Sequence, residues 1–144
     1  MPDKIEMNES IHRHSCRVLY GDTDSGGVVY YGNYLRFFEA GRTEFMRANN
    51  LTYKSLEDAG YILPVVECYS RYKASAKYDD IIIIETSITE VKPVSCRFNY
   101  KILRRQDEKL LVKGYTLHAS IDENGKLSKL PMDIVARLKK LALQ

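Results

Sequence analysis

The sequence has no long apolar run. Its longest purely aliphatic stretch is Ile81–Ile84, far short of the roughly 18 residues that suggest a membrane-spanning helix. It also lacks any paired-cysteine motif: Cys16, Cys68 and Cys96 are odd in number and far apart, with no CxxC. That excludes a disulfide framework and a zinc site, so no metal is expected, and the free thiols suit a reducing compartment. The N-terminal residues Met1 to Glu6 are polar, so no targeting segment is expected there. Nor is charge of one sign in large excess. A net charge of +3 with both signs interspersed is too mild to indicate nucleic acid, although it suits a moderately anionic ligand. The expectation is a soluble cytoplasmic protein. Its 144 residues fit one domain, long enough to bury roughly two thirds of its unfolded surface.

Residues 1–13 carry little pattern and read as a loose arm, leaving residues 14–144 as the single domain. Cys16 to Tyr20 is a strand candidate, after which the segment Gly21 to Gly27 turns the chain. From Asn33 to about Asn49 there is no proline, and Tyr34, Phe37, Phe38, Gly41 and Phe45 recur at intervals of three and four. This predicts an amphipathic helix. Gly41 costs such a helix on the order of 1 kcal/mol, so it is expected to mark close approach to a sheet. A short helical stretch, Tyr53 to Ala59, stops at Gly60.

The second half changes period. Val66, Cys68, Tyr72 and Ala74 alternate with Glu67, Tyr69, Arg71 and Lys73, and Val94, Cys96, Phe98, Tyr100 and Ile102 alternate more clearly with Ser95, Arg97, Asn99 and Lys101. Both read as half-buried strands. Ile81 to Val91 is rich in β-branched residues, and Leu110 to Ile121 is closed by Asp122-Glu123-Asn124-Gly125. No helical crossover separates these strands, so the sheet is antiparallel and its inner face must cover the long helix. Pro131 suits a first helical residue for Met132 to Leu143, expected to pack on its own domain.

The most informative segment runs from Tyr20 to Tyr34: Tyr20-Gly21-Asp22-Thr23-Asp24-Ser25-Gly26-Gly27-Val28-Val29-Tyr30-Tyr31-Gly32-Asn33-Tyr34. Two acids and a glycine turn lead straight into the helix, where free backbone N–H groups and the helix dipole can polarise an electron-rich ligand atom. An Asp-x-Asp before a helix also serves as plain turn and capping chemistry, and both readings stand on the residues alone.

A long helix wrapped by an antiparallel sheet, with this segment at the helix start, resembles the hotdog fold of the 4-hydroxybenzoyl-CoA thioesterase family, especially its YbgC-like branch. Phe38-Glu39-Ala40-Gly41-Arg42-Thr43-Glu44, Tyr72-Lys73-Ala74 and Tyr78-Asp79-Asp80 corroborate the likeness, which covers nearly the whole chain. The resemblance implies an α+β hotdog fold, a long central α-helix in a curved antiparallel β-sheet of about five strands. It implies hydrolysis of an acyl thioester of coenzyme A or of acyl carrier protein, in a homodimer or homotetramer with sites at subunit interfaces. Coenzyme A would then belong to substrate and product, with no resident cofactor. A non-catalytic acyl-CoA binder that keeps the fold is the alternative from a different class.

By the same resemblance the catalytic acid is Asp24, and the amide that polarises the thioester carbonyl is that of Tyr31. Asp24 either attacks to form a mixed anhydride or deprotonates water. Asp22 is expected to shape the loop or hold a neighbouring amide. Gly27, Val28, Tyr30 and Tyr34 are expected to line the acyl pocket, with the side chains of Tyr31 and Phe37 adding to its aromatic wall. Many YbgC-like members carry histidine where this chain has Tyr31, so a proton relay through an imidazole is not expected here. Glu39, the helix carboxylate that another hotdog branch would use, is expected to pair with Arg42 or Thr43. His12 and His14 fall in the arm and His118 in a strand, each expected as surface or satisfied core. Arg71, Lys73 and Arg97, with Lys77, Lys101 and Arg104, are candidates for the phosphates of coenzyme A or for an ordinary solvated sheet face.

Overall fold

The apolar positions of the long helix and those of the later strands meet on one surface, and that contact organises the molecule. The computed structural model describes residues 10–142. In chain order these form β1 (His12–Arg17), α1 (Tyr34–Ala48), α2 (Tyr53–Asp58), β2 (Val65–Tyr72), β3 (Ile81–Lys92), β4 (Ser95–Arg104), β5 (Leu110–Ala119) and α3 (Met132–Leu141). The strands make one antiparallel sheet in the order β1-β3-β4-β5-β2. No described helix is long and apolar enough to cross a membrane.

The helix α1 buries Tyr34, Phe37, Phe38, Gly41, Phe45 and Met46, the stripe its periodicity predicts. Opposite it lie Ile82, Ile84 and Ile88 of β3 and Phe98, Tyr100 and Ile102 of β4, all buried. Phe38 stacks on Tyr100 at 4.3 Å between ring centroids, and Phe45 meets Phe98 edge-on at 6.0 Å. Burying each such side chain contributes roughly 1.5–3 kcal/mol. Gly41 brings the helix close to the sheet, as expected: a Cβ there would sit 2.5 Å from Ile84 Cγ2 and 2.6 Å from Thr86 Oγ1. No alanine fits without movement of helix or strand.

His118 is fully buried and satisfied. Its Nδ1 lies 2.9 Å from the Leu63 carbonyl, which can only accept, so Nδ1 carries the proton and Nε2 accepts from the Thr116 hydroxyl at 2.8 Å. Burial pushes this imidazole down to about 4, so it is neutral near pH 7 and serves the core.

Several boundaries differ from the sequence reading. The first strand begins at His12, so His12 and Arg13 belong to the sheet rather than the arm; residues 1–9 lie outside the described residues. It ends at Arg17, and Tyr20–Asp22 is a 3₁₀ turn instead of the end of a strand. The alternation His-Arg-His-Ser carries little apolar contrast, yet His12, His14 and Cys16 face inward by register with Thr86, Ile84 and Ile82. The last strand stops at Ala119, short of Ile121. Pro131 caps α3 rather than opening it, and α3 ends at Leu141. The strongest departure is β2. Expected to be half-buried, it is exposed along nearly its whole length, because α1 packs on β1, β3 and β4 and leaves this edge strand uncovered.

Candidate active site

The site is built where the loop of residues 23–29 meets the start of α1. Thr23 and Val29 form an isolated antiparallel bridge, and the Asp24 amide donates to the Val28 carbonyl at 2.9 Å. Between them Gly27 takes φ +82, the left-handed conformation that glycine adopts without strain. Tyr31–Asn33 is a 3₁₀ turn that runs directly into α1. Asn33 N–H bonds the Tyr30 carbonyl at 2.8 Å, whereas the amides of Tyr31 and Gly32 have no acceptor among the described residues. They are the orphan donors of a helix start, next to the positive end of its dipole.

The two acids of the motif have different fates. Asp22 is buried and fully engaged: Oδ2 accepts from the Leu19 amide at 2.8 Å, and Oδ1 forms a salt bridge with Arg36 on the first turn of α1. Its carbonyl accepts from the Tyr30 amide at 3.0 Å and from Asn33 Nδ2 at 2.9 Å. Asp22 thus ties the loop to the helix start, the structural role expected of it. Asp24 is exposed and has one carboxylate oxygen occupied, Oδ1 accepting from the Gly26 amide at 2.8 Å. This Asx-type turn fixes the side chain and leaves Oδ2 without a partner among the described residues.

The aromatic residues divide likewise. Tyr30 and Tyr31 are exposed, with ring centroids 4.8 Å apart, and Tyr31 also meets Tyr72 at the end of β2 edge-on at 6.0 Å. Tyr34 differs from its expected place as a pocket wall. It is buried in the core, its hydroxyl accepts from the Ala76 amide at 3.1 Å, and burial raises the pKa of its phenol, making it a weaker acid. Its position on the inward stripe of α1 accounts for this. Val28 is half-buried and Gly27 exposed beside them.

The remaining candidates scatter. Glu39 makes no ion pair or hydrogen bond with Arg42 or Thr43; all three line a surface cavity of about 270 Å³ with Tyr53 and Glu57. Arg42 instead reaches inward to the Tyr100 hydroxyl at 3.4 Å. Arg97 lies over the Tyr115 ring at 4.0 Å and 3.8 Å from Glu90, and Arg104 is held by Asp80 and Asp107. Arg71 stands across from Lys113, itself across from Lys101, on the sheet face away from α1. Lys73 follows Tyr72 and donates its amide to Leu111. Sequence reasoning missed the Asp22–Arg36 tie and the bridge between Val28 and Lys77. Only the crossing of distant segments creates the second, while the first had a signal in an acid and an arginine flanking one helix start.

The profile of the thioesterase-like superfamily matches residues 18–138, and the chain belongs to that superfamily. Among its relatives is the acyl-CoA thioesterase YbgC of Haemophilus influenzae, 37% identical over 112 residues, covering 77% of this chain and 80% of the relative. The acyl-CoA thioester hydrolase YbgC of Escherichia coli O157:H7 is 34% identical over 134 residues, covering 92% and 99%. A crystal structure of a 4-hydroxybenzoyl-CoA thioesterase bound to 4-hydroxybenzoyl-CoA superposes with a TM-score of 0.80 at 22% identity, over 90% of this chain and 99% of that one. That likeness establishes the hotdog fold. The resemblance read from the motif and the fold expected from it are both borne out.

Proposed function

We propose that this protein hydrolyses acyl-CoA thioesters to the free acid and coenzyme A, with Asp24 as nucleophile or general base and the Tyr31 amide polarising the carbonyl. One observation carries the reading: an exposed carboxylate with a free Oδ2 shares a hydrogen-bonded loop with the unsatisfied amides of a helix start. An oxyanion needs preorganised donors, and backbone N–H groups at a helix start reorganise little as charge develops. In the nucleophilic route the Asp24 oxygen bonds to the carbonyl carbon, the C–S bond breaks, and the thiolate leaves to be protonated. Water then cleaves the anhydride. In the general-base route Asp24 takes a proton from the attacking water. Gly27, Val28 and Tyr30 line the approach of the acyl group.

Oligomerisation belongs to this reading. β2 leaves Val65, Val66, Tyr69 and Tyr72 exposed at a sheet edge, and a second copy is the natural cover for such an edge. Tyr72 touches Tyr31, so a copy added there adjoins the catalytic loop and shields Asp24 from water. For the phosphates of the carrier the candidates are Arg71 and Lys73, on either side of Tyr72 in sequence, with Arg97 on the same sheet face as Arg71. A cytoplasmic site of action suits the free thiols of Cys16, Cys68 and Cys96.

The test is thiol release from short, long and aromatic acyl-CoA thioesters, and from the same acyl groups on acyl carrier protein, by the native protein and Asp24→Asn. A loss of at least 10³-fold in the variant, with an unchanged melting temperature, is expected. An Asn variant retaining most activity removes Asp24 from its role. Absence of turnover on both carriers, with binding retained, favours the non-catalytic reading.

A further inference from the structure

The two peptide groups on either side of Tyr31 are both held through their carbonyls. The one before it is fixed by the Asn33 amide, which donates to the Tyr30 carbonyl at 2.8 Å. The one after it, between Tyr31 and Gly32, has an N–H with no acceptor among the described residues. Position 32 also has no side chain to tie it down, and a Cβ there would sit 2.8 Å from Cε2 of Tyr30, whose ring lies over it. What anchors this second peptide is its oxygen. From within the helix start that oxygen accepts the Tyr34 amide. From outside it accepts the hydroxyl of Tyr72 at 3.4 Å.

Tyr72 is the last residue of the edge strand β2. Its ring lies against both Tyr31 and Tyr34, at 6.0 and 5.6 Å between centroids, and these two residues are one turn apart on a single face of the helix start. Its hydroxyl is aimed by Ser70, two residues back and on the same face of the strand. The Ser70 hydroxyl donates to the Tyr72 oxygen at 2.8 Å, which leaves the Tyr72 proton for the Tyr31 carbonyl. Hydrogen bonds in such a chain polarise one another. At 3.4 Å the last bond is long, as contacts of a catalytic site often are before substrate closes on them. The sheet does not need it: Tyr72 pairs with Val112 through the backbone, and its side chain is exposed. An exposed hydroxyl gains little stability by exchanging water for a protein acceptor, so the bond points to the peptide it holds.

We propose that Tyr72 is a positioning residue of the hydrolysis: its hydroxyl, aimed by Ser70, pins the Tyr31–Gly32 peptide and so keeps Tyr31 with its amide toward the thioester carbonyl. The inference rests on the thioesterase reading for the reaction it serves. A donor held in place need not reorganise as charge develops on the carbonyl oxygen. Losing the pin therefore lowers kcat and leaves KM unchanged.

The test compares the native protein, Tyr72→Phe, Ser70→Ala and the double variant in hydrolysis of one acyl-CoA, with amide NMR spectra of the same four proteins. Tyr72→Phe keeps the ring and loses only an exposed hydroxyl, so the melting temperature should not move. The expected kcat of Tyr72→Phe is about tenfold lower at unchanged KM, the size of one hydrogen bond. Ser70→Ala should lose about threefold alone and nothing further in the Tyr72→Phe background, because it acts through that hydroxyl. The Gly32 amide nitrogen, on the peptide whose carbonyl loses its donor, should shift in Tyr72→Phe and by less in Ser70→Ala, while Gly60 and Gly125 stay in place. A native kcat in Tyr72→Phe, a loss carried by KM, or an equal Ser70→Ala loss in both backgrounds overturns the proposal. A native protein that hydrolyses no thioester fails the enzymatic reading instead. The Gly32 resonance then decides the pin by itself: a shift in Tyr72→Phe supports it and an unmoved resonance overturns it.

Discussion

The two ends of α1 are finished in opposite ways. At its C-terminus the carbonyls are capped: Asn49 Nδ2 donates to the Phe45 carbonyl at 2.8 Å, and Arg137 Nη2 of α3 donates to the carbonyls of Asn49 and Asn50 at 3.1 and 3.2 Å. At its N-terminus no side chain caps the helix, and Asn33 turns its amide to the Asp22 carbonyl instead. The amides of Tyr31 and Gly32 stay free beside exposed Asp24. A closed helix end contributes stability; an open one holds donors in place for something that is not the protein. The burial of Asp22 against Arg36 sharpens the contrast, since the loop is anchored by one acid while the other is left available.

Breaking the anchor should have the larger structural effect. Asp22→Ala removes a buried carboxylate that accepts one amide and one guanidinium, and charged hydrogen bonds of this kind are worth about 1.5–3 kcal/mol each. A loss of about 2–3 kcal/mol in urea unfolding is expected, with hydrolysis falling as the loop loosens. A melting curve unchanged from the native one would show that the loop is held by other means. Breaking the closed end should cost less: Arg137→Ala, which removes two bonds from an exposed side chain to backbone carbonyls, should lose about 1 kcal/mol. Its rate of hydrolysis should match the native protein, and a large loss there would mean the two ends are coupled.

The same contrast explains what could be read from the sequence. The body of α1 and the meaning of Gly41 were legible because a helix writes its buried face locally, at intervals of three and four. The family motif pointed to Asp24 and Tyr31, which share one loop. Tyr34 was misplaced because an aromatic beside the motif looks like a pocket wall until the register of α1 turns it inward to Ala76. The exposure of β2 was not legible at all, since alternation tells which residues share a face but not whether anything covers it. The start of β1 at His12 escaped for want of apolar contrast. The pairing of Lys77 with Val28 depends on two segments far apart in sequence meeting beside the loop.

The central claim is that the open helix end supplies the amide that polarises the carbonyl, and proline isolates it. Tyr30 has φ −62 and ψ 129, a conformation compatible with a following proline, and the first helical position accepts proline because its N–H has no intrahelical partner. The most direct measurement is therefore hydrolysis of one acyl-CoA by Tyr31→Pro beside Tyr31→Ala, which keeps the amide and loses the same ring. Tyr31→Pro, at a stability matching that of Tyr31→Ala, is expected to be slower by a further 10²–10³-fold, about 3–4 kcal/mol at the transition state. Equal rates for the two variants would contradict that claim.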